Sequence, residues 1–146
     1  MRGNQLSFVA CGVINTDSKN STAERLREIH DGIGKVVNLY KPQEAAVEET
    51  FVNKNSGSSL KLGQARGAIL LSLSLEGLGV CEYSTNLVKK SVVGTGHADK
   101  KQVAMMVKTL LPSSNATSND AADALAVAIC HAHQRTVTNL TKRISA

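Results

Sequence analysis

Tryptophan is absent from this 146-residue chain, and its only other aromatic rings come from two Phe and two Tyr beside four His. An exposed aromatic would therefore stand out. Cysteine is nearly as scarce: Cys11, Cys81 and Cys130 lie far apart and never form a C-x-x-C pair. That spacing argues against a disulfide framework and a cysteine-based zinc site, and fits a reducing cytosol. No charged-then-apolar leader opens the sequence. The most apolar stretch, 68–75, is broken by serines and is far too short to span a bilayer. The expectation is a soluble, cytoplasmic protein with no membrane partner.

The chain is ordinary in its totals, with 42% apolar and 20% charged residues. This excludes wholesale disorder, and the length suits one domain, residues 1–146, with a proper core. The net charge of +5 is unevenly spread. Residues 1–50 carry six Lys/Arg against seven Asp/Glu, whereas 51–146 carry eleven against five. A basic C-terminal two-thirds suits a polyanionic partner, although a solvated surface accounts for it too.

Along the chain, strand and helix patterns alternate. Residues 6–14 are β-rich and end at a polar cluster, which predicts a strand. Ser21-Thr22-Ala23-Glu24 is a capping box, and Leu26, Ile29, Ile33, Val36, Val37 and Tyr40 repeat at helical spacing until Pro42. Ala45-Ala46-Val47 is a short uninterrupted apolar run, the mark of a buried strand, and it ends in Glu48-Glu49. A polar loop over 53–57 precedes a long helix from about Ser58 to Glu76. A strand over 79–83, helices over 85–92 and 99–111, and a last helix from Asn119 to about Val137 complete the pattern. Strands separated by helices define an α/β domain with a partly parallel sheet.

Asn119-Asp120-Ala121-Ala122-Asp123, opening a strongly apolar helix, carries the most chemistry. Spacing i, i+3 places the two carboxylates on one face of the first turn, where the helix dipole keeps them ionised. Such a pair can hold a divalent cation. Capping explains it as well, with Asn119 or Asp120 as N-cap and Asp123 as the acid of the box. Glu48 ends a buried strand, the place where sites form in open α/β sheets, although a solvated strand end accounts for it equally. A third acid beside the pair would make an oxygen-only pocket suited to Mg²⁺ or Mn²⁺. Two such ions can activate a water and stabilise the leaving oxygen of a phosphodiester.

Lys54, Lys61, Arg66, Lys89, Lys90, Lys100 and Lys101 fall on loops and helix starts that follow the strands, where they can neutralise phosphates or simply be solvated. Phe51 is either core or an exposed ring that stacks on a base. Gly63 and Gly67, at i, i+4 within a helix, each cost about 1 kcal/mol relative to Ala. Close approach of another backbone, from the sheet or a second subunit, explains them. Cys130-His131-Ala132-His133 has a metal-binding composition, but His131 and His133 at i, i+2 do not share a helix face.

Taken together, the chain resembles the RuvC family of Holliday-junction resolvases. The stretches that carry the resemblance are Ala46-Val47-Glu48, Phe51 with Asn53-Lys54-Asn55, Leu60-Lys61-Leu62-Gly63-Gln64-Ala65-Arg66-Gly67, Val92-Val93-Gly94-Thr95-Gly96 and Asp120-Ala121-Ala122-Asp123-Ala124-Leu125-Ala126. The resemblance implies a ribonuclease-H-like fold, with a mixed sheet flanked by helices. It implies a homodimeric endonuclease that nicks opposed strands of a four-way DNA junction with two Mg²⁺ per site (Mn²⁺ substituting), in recombination and repair. The RuvA–RuvB branch-migration complex is a further implied partner. The family's second, third and fourth acids fall on Glu48, Asp120 and Asp123, its base-contacting aromatic on Phe51, and its DNA-contacting lysines on Lys89 and Lys100. The helix bearing Gly63 and Gly67 would lie near the dimer interface. Nothing matches the family's first strand, with its metal-binding Asp, or its second. The expectation is thus a nuclease lacking its N-terminal β-hairpin, with a non-catalytic junction binder or inactive remnant as the alternative.

Overall fold

The computed structural model describes residues 5–49 and 55–144, with side chains as far as 136. Two compact units divide the chain: Met1–Val13 with Tyr83–Ala146, and Ile14–Glu82. The second division falls inside a strand.

In the unit Ile14–Glu82, α1 (Thr22–Tyr40) begins at Ser21. The Ser21 hydroxyl accepts from the Glu24 N–H, while the Glu24 carboxylate accepts from the Ser21 N–H at 2.8 Å, closing the expected box. Lys41, in the left-handed region at φ 49°, ends the helix just before Pro42. α2 (Ser56–Leu75) starts at Asn55, whose side chain accepts from Gly57 and Ser58 N–H groups. α1 packs on α2. Ile33 and Ser72 are the buried members of this pair, and the Ser72 hydroxyl lies 2.9 Å from His30 Nδ1. Gly32 leaves room for Ile14, since a Cβ at that position would stand 2.7 Å from Ile14 Cγ2 and the Ile14 side chain would have to shift. β1 (Glu44–Glu49) pairs with β2 (Gly79–Ser84) in a two-stranded sheet.

In the other unit, α3 (Thr85–Val93), α4 (Lys100–Leu110) and α5 (Asn119–Ile144) pack on one another. Val88 and Val92, Val103 and Val107, and Leu125, Ala126, Ile129 and Cys130 form the core. Their spacing of three and four residues is what puts each set on one helix face. Ser84 caps α3, and Gly94 ends it at φ 94°, donating its N–H to the Lys90 carbonyl. Asp99 and Gln102 form a second capping box at the start of α4.

The expected strand over 6–14 is not a strand. Among the described residues only Gln5 makes a β-bridge there. The side chains nevertheless alternate, with Leu6, Phe8 and Ala10 half-buried and Ser7 and Val9 exposed. Alternation is a property of the backbone's extended form, whereas a strand also needs a hydrogen-bonded neighbour. The sequence pattern reports the first and not the second. Among the described residues, no helix is long and apolar enough to cross a membrane.

Candidate metal and nucleic-acid site

α5 begins one residue earlier in function than its acids suggest. Its cap is Ser118, whose hydroxyl accepts from the Ala121 N–H at 3.1 Å. Neither Asn119 nor Asp120 is the N-cap, so the capping explanation of the acidic pair is corrected. Ser, Asn and Asp are all favoured at that position, and three of them in a row leave the choice to geometry. With Ser118 in the role, Asp120 and Asp123 are released from it.

Asp120 is exposed and Asp123 half-buried. Among the described residues neither carboxylate accepts a hydrogen bond or joins an ion pair. Ala121, between them, is buried, which fixes the rotation of the first turn against the core. The turn therefore presents two oxygen-donor side chains, held near the positive end of a helix, with no cation among the described residues to neutralise them. That donor chemistry fits a hard divalent cation such as Mg²⁺ or Mn²⁺. The pair alone supplies two ligand residues, and among the described residues no three His, Cys, Asp or Glu side chains gather to hold a metal. Glu48, half-buried in β1, belongs to the other unit and has a polar interaction of its own.

Four of the candidate phosphate contacts, Lys89, Lys90, Lys100 and Lys101, share the unit of the acidic pair. Lys89 is half-buried on α3, and Lys100 is exposed as the first residue of α4, followed by exposed Lys101. Cations at the first two positions of a helix sit against its dipole, at a cost of a few tenths of a kcal/mol each. They also add to the positive potential of the orphan N–H groups, so an anion docked there relieves the repulsion. Phe51 and Lys54 lie outside the described residues. Arg66 is engaged elsewhere, in an ion pair with Glu82.

Gly63 and Gly67 are exposed, and a Cβ on either would meet nothing within 4 Å. Among the described residues no backbone approaches them, so β1 and β2 are excluded as the reason for the two glycines. Around them α2 exposes Leu60, Leu62, Leu71 and Leu75, the last at 67%.

Sequence reasoning missed the role of the Cys130–His133 stretch. Its members face the end of β2 and α3: His131 Nδ1 lies 2.8 Å from the Tyr83 hydroxyl, and His133 Nδ1 lies 3.2 Å from the Ser91 hydroxyl. Cys130 is fully buried, its thiol directed at the Leu87 carbonyl. Burial pushes this thiol's pKa up, partly offset by a hydrogen bond with Ser91. No local signal marks these partners, because they come from 40 to 50 residues upstream.

The arrangement has close counterparts. A Thermus thermophilus RuvC structure, in complex with a Holliday junction substrate, superimposes with a TM-score of 0.84 at 33% identity, covering 93% of this chain and 84% of that one. The fold is accordingly that of the ribonuclease-H-like α/β nucleases. Residues 1–131 match the family described as crossover junction endodeoxyribonuclease RuvC. The crossover junction endodeoxyribonuclease RuvC of Rhodospirillum rubrum is 58% identical over 133 residues, 91% of this chain and 79% of that protein. Its namesake from Methylocella silvestris is 57% identical over 143 residues, 98% of this chain and 81% of that protein. The chain belongs to the RuvC family, whose members are hydrolases that depend on divalent metal.

Proposed function

We propose that this chain acts in the cytoplasm as a homodimeric, structure-selective endodeoxyribonuclease, resolving four-way DNA junctions in recombination and repair. The observation that carries the reading is the Asp120–Asp123 pair: two carboxylates without a partner among the described residues, on a turn already capped by Ser118. In a chain that matches the RuvC family over residues 1–131, that pair is best explained as metal ligands. Glu48, the last residue but one of β1, is assigned to the same site because the resemblance places the family's second acid there. When bound, two Mg²⁺ ions would lower the pKa of a water and offset charge on the scissile phosphate.

The protein's own groups divide the remaining work. Asp120, Asp123 and Glu48 hold the cations, and Lys89, Lys100 and Lys54 neutralise backbone phosphates. Phosphate contacts of this kind position the DNA without reading its sequence. Phe51 stacks on a base at the junction. The exposed α2 face around Gly63 and Gly67 is the contact between two copies of the chain, and the RuvA–RuvB complex delivers the junction.

The test uses a synthetic four-way junction. Asp120→Asn and Glu48→Gln are each expected to abolish Mg²⁺-dependent cleavage while junction binding in a gel-shift assay stays within about twofold of wild type. Retained cleavage in either variant removes that residue from the site. A wild-type chain that binds the junction and never cuts it would make the protein a non-catalytic junction binder.

A further inference from the structure

We infer that two polar pairs, Tyr83–His131 and Ser91–His133, are positioning pairs that set the register of α5 against β2 and α3. They thereby hold the Asp120–Asp123 carboxylates in place. The inference rests on the assignment of those carboxylates as metal ligands.

All the groups concerned lie in one compact unit. His131 and Tyr83 meet at 2.8 Å, with their rings 5.8 Å apart and tilted by 53°. His133 and Ser91 meet at 3.2 Å. All four side chains are half-buried. Two residues apart on a helix means roughly 200° apart about its axis. The pairs therefore grip α5 on different sides, and together they oppose both rotation and sliding.

The apolar core beneath cannot do this alone. Val88, Val92, Ala126 and Ile129 are buried beneath, and hydrophobic burial is itself non-directional. A hydrogen bond weakens steeply with distance and angle, so it selects one register. α5 runs unbroken from Asn119, and His131 is eight residues beyond Asp123, about 12 Å along the axis. A rigid helix carries a shift at the histidines to its first turn. On α3, Lys89 sits two residues before Ser91, so the same pairs relate the carboxylates to a proposed phosphate contact. Misplacement of a reacting group by about 1 Å can cost on the order of 10²-fold in rate.

The test compares Tyr83→Phe/Ser91→Ala with wild type, Asp120→Asn, Ser91→Thr and His131→Asn. Mn²⁺ affinity is measured by calorimetry and cleavage by kinetics on a synthetic junction. The double variant is expected to weaken Mn²⁺ binding at least threefold and to lower kcat about tenfold, with the junction Kd within twofold. Ser91→Thr keeps a hydroxyl, and His131→Asn keeps an acceptor close to Nδ1, so both are expected near wild type. If Asp120→Asn leaves Mn²⁺ binding untouched, the metal-site assignment itself fails. If Asp120→Asn abolishes Mn²⁺ binding and the double variant leaves it at the wild-type value, the positioning role alone is overturned. A loss that merely tracks the folded fraction in a thermal melt overturns it too, as does an equal loss in the two conservative variants.

Discussion

Ser118 shows how much a single hydroxyl decides. By accepting the Ala121 N–H it takes the capping role, and two adjacent acids become available for other chemistry. Removing it should cost about 1 kcal/mol, the usual worth of a Ser cap. Ser118→Ala is therefore expected to lower the melting temperature by a few degrees, read by circular dichroism. An unchanged melting curve would return the cap to Asn119 or Asp120. The residue types were legible in the sequence, since Ser118-Asn119-Asp120 announces a helix start. Which of the three makes the bond was not, because it depends on backbone angles that residue identity does not specify.

At the level of elements, the start of α1 was readable and the segment over 5–14 was not. Every partner in the α1 capping box lies within four residues, so the pattern in the sequence is the structure. Its electrostatics give a pH prediction. Hydrogen bonds from the Ser21 side chain, then from the Ser21 backbone, hold the Glu24 carboxyl below its usual range. A lowered folded-state value means that the native state binds fewer protons than the unfolded state. The stability Glu24 contributes is thus complete above the ordinary carboxylate pKa of about 4.3 and is lost as pH falls through its lower folded value. Glu24→Gln should flatten the fall of melting temperature between about pH 5 and pH 3, and an unchanged slope would contradict it. A strand is different in kind. Residues 5–10 carry the right alternation, yet strand formation is decided by a neighbour elsewhere in the chain.

For the whole molecule, the exposed face of α2 is the feature most in need of a partner. Leu71 and Leu75 are 60% and 67% exposed beside two bare glycines. Under the proposed dimer, a long side chain at Gly67 would block close approach of the second copy. Within one chain it has open space, and it replaces a helical glycine at a gain of up to about 1 kcal/mol. Gly67→Arg is accordingly expected to sediment as a monomer at micromolar concentration with an undiminished melting temperature. A dimer that survives the change would place the interface elsewhere.

What the sequence determined by itself is what short-range chemistry controls: the cap at Ser21, the helix starts to within a few residues, the i, i+3 acidic pair and the motif series that marks the RuvC family. Tertiary structure alone decided that Gly63 and Gly67 meet nothing among the described residues, and that His131 and His133 meet Tyr83 and Ser91. The physical reason is range. Caps and helix faces involve residues a turn apart, whereas these partners are 42 and 48 residues distant, and only packing brings them to hydrogen-bonding distance.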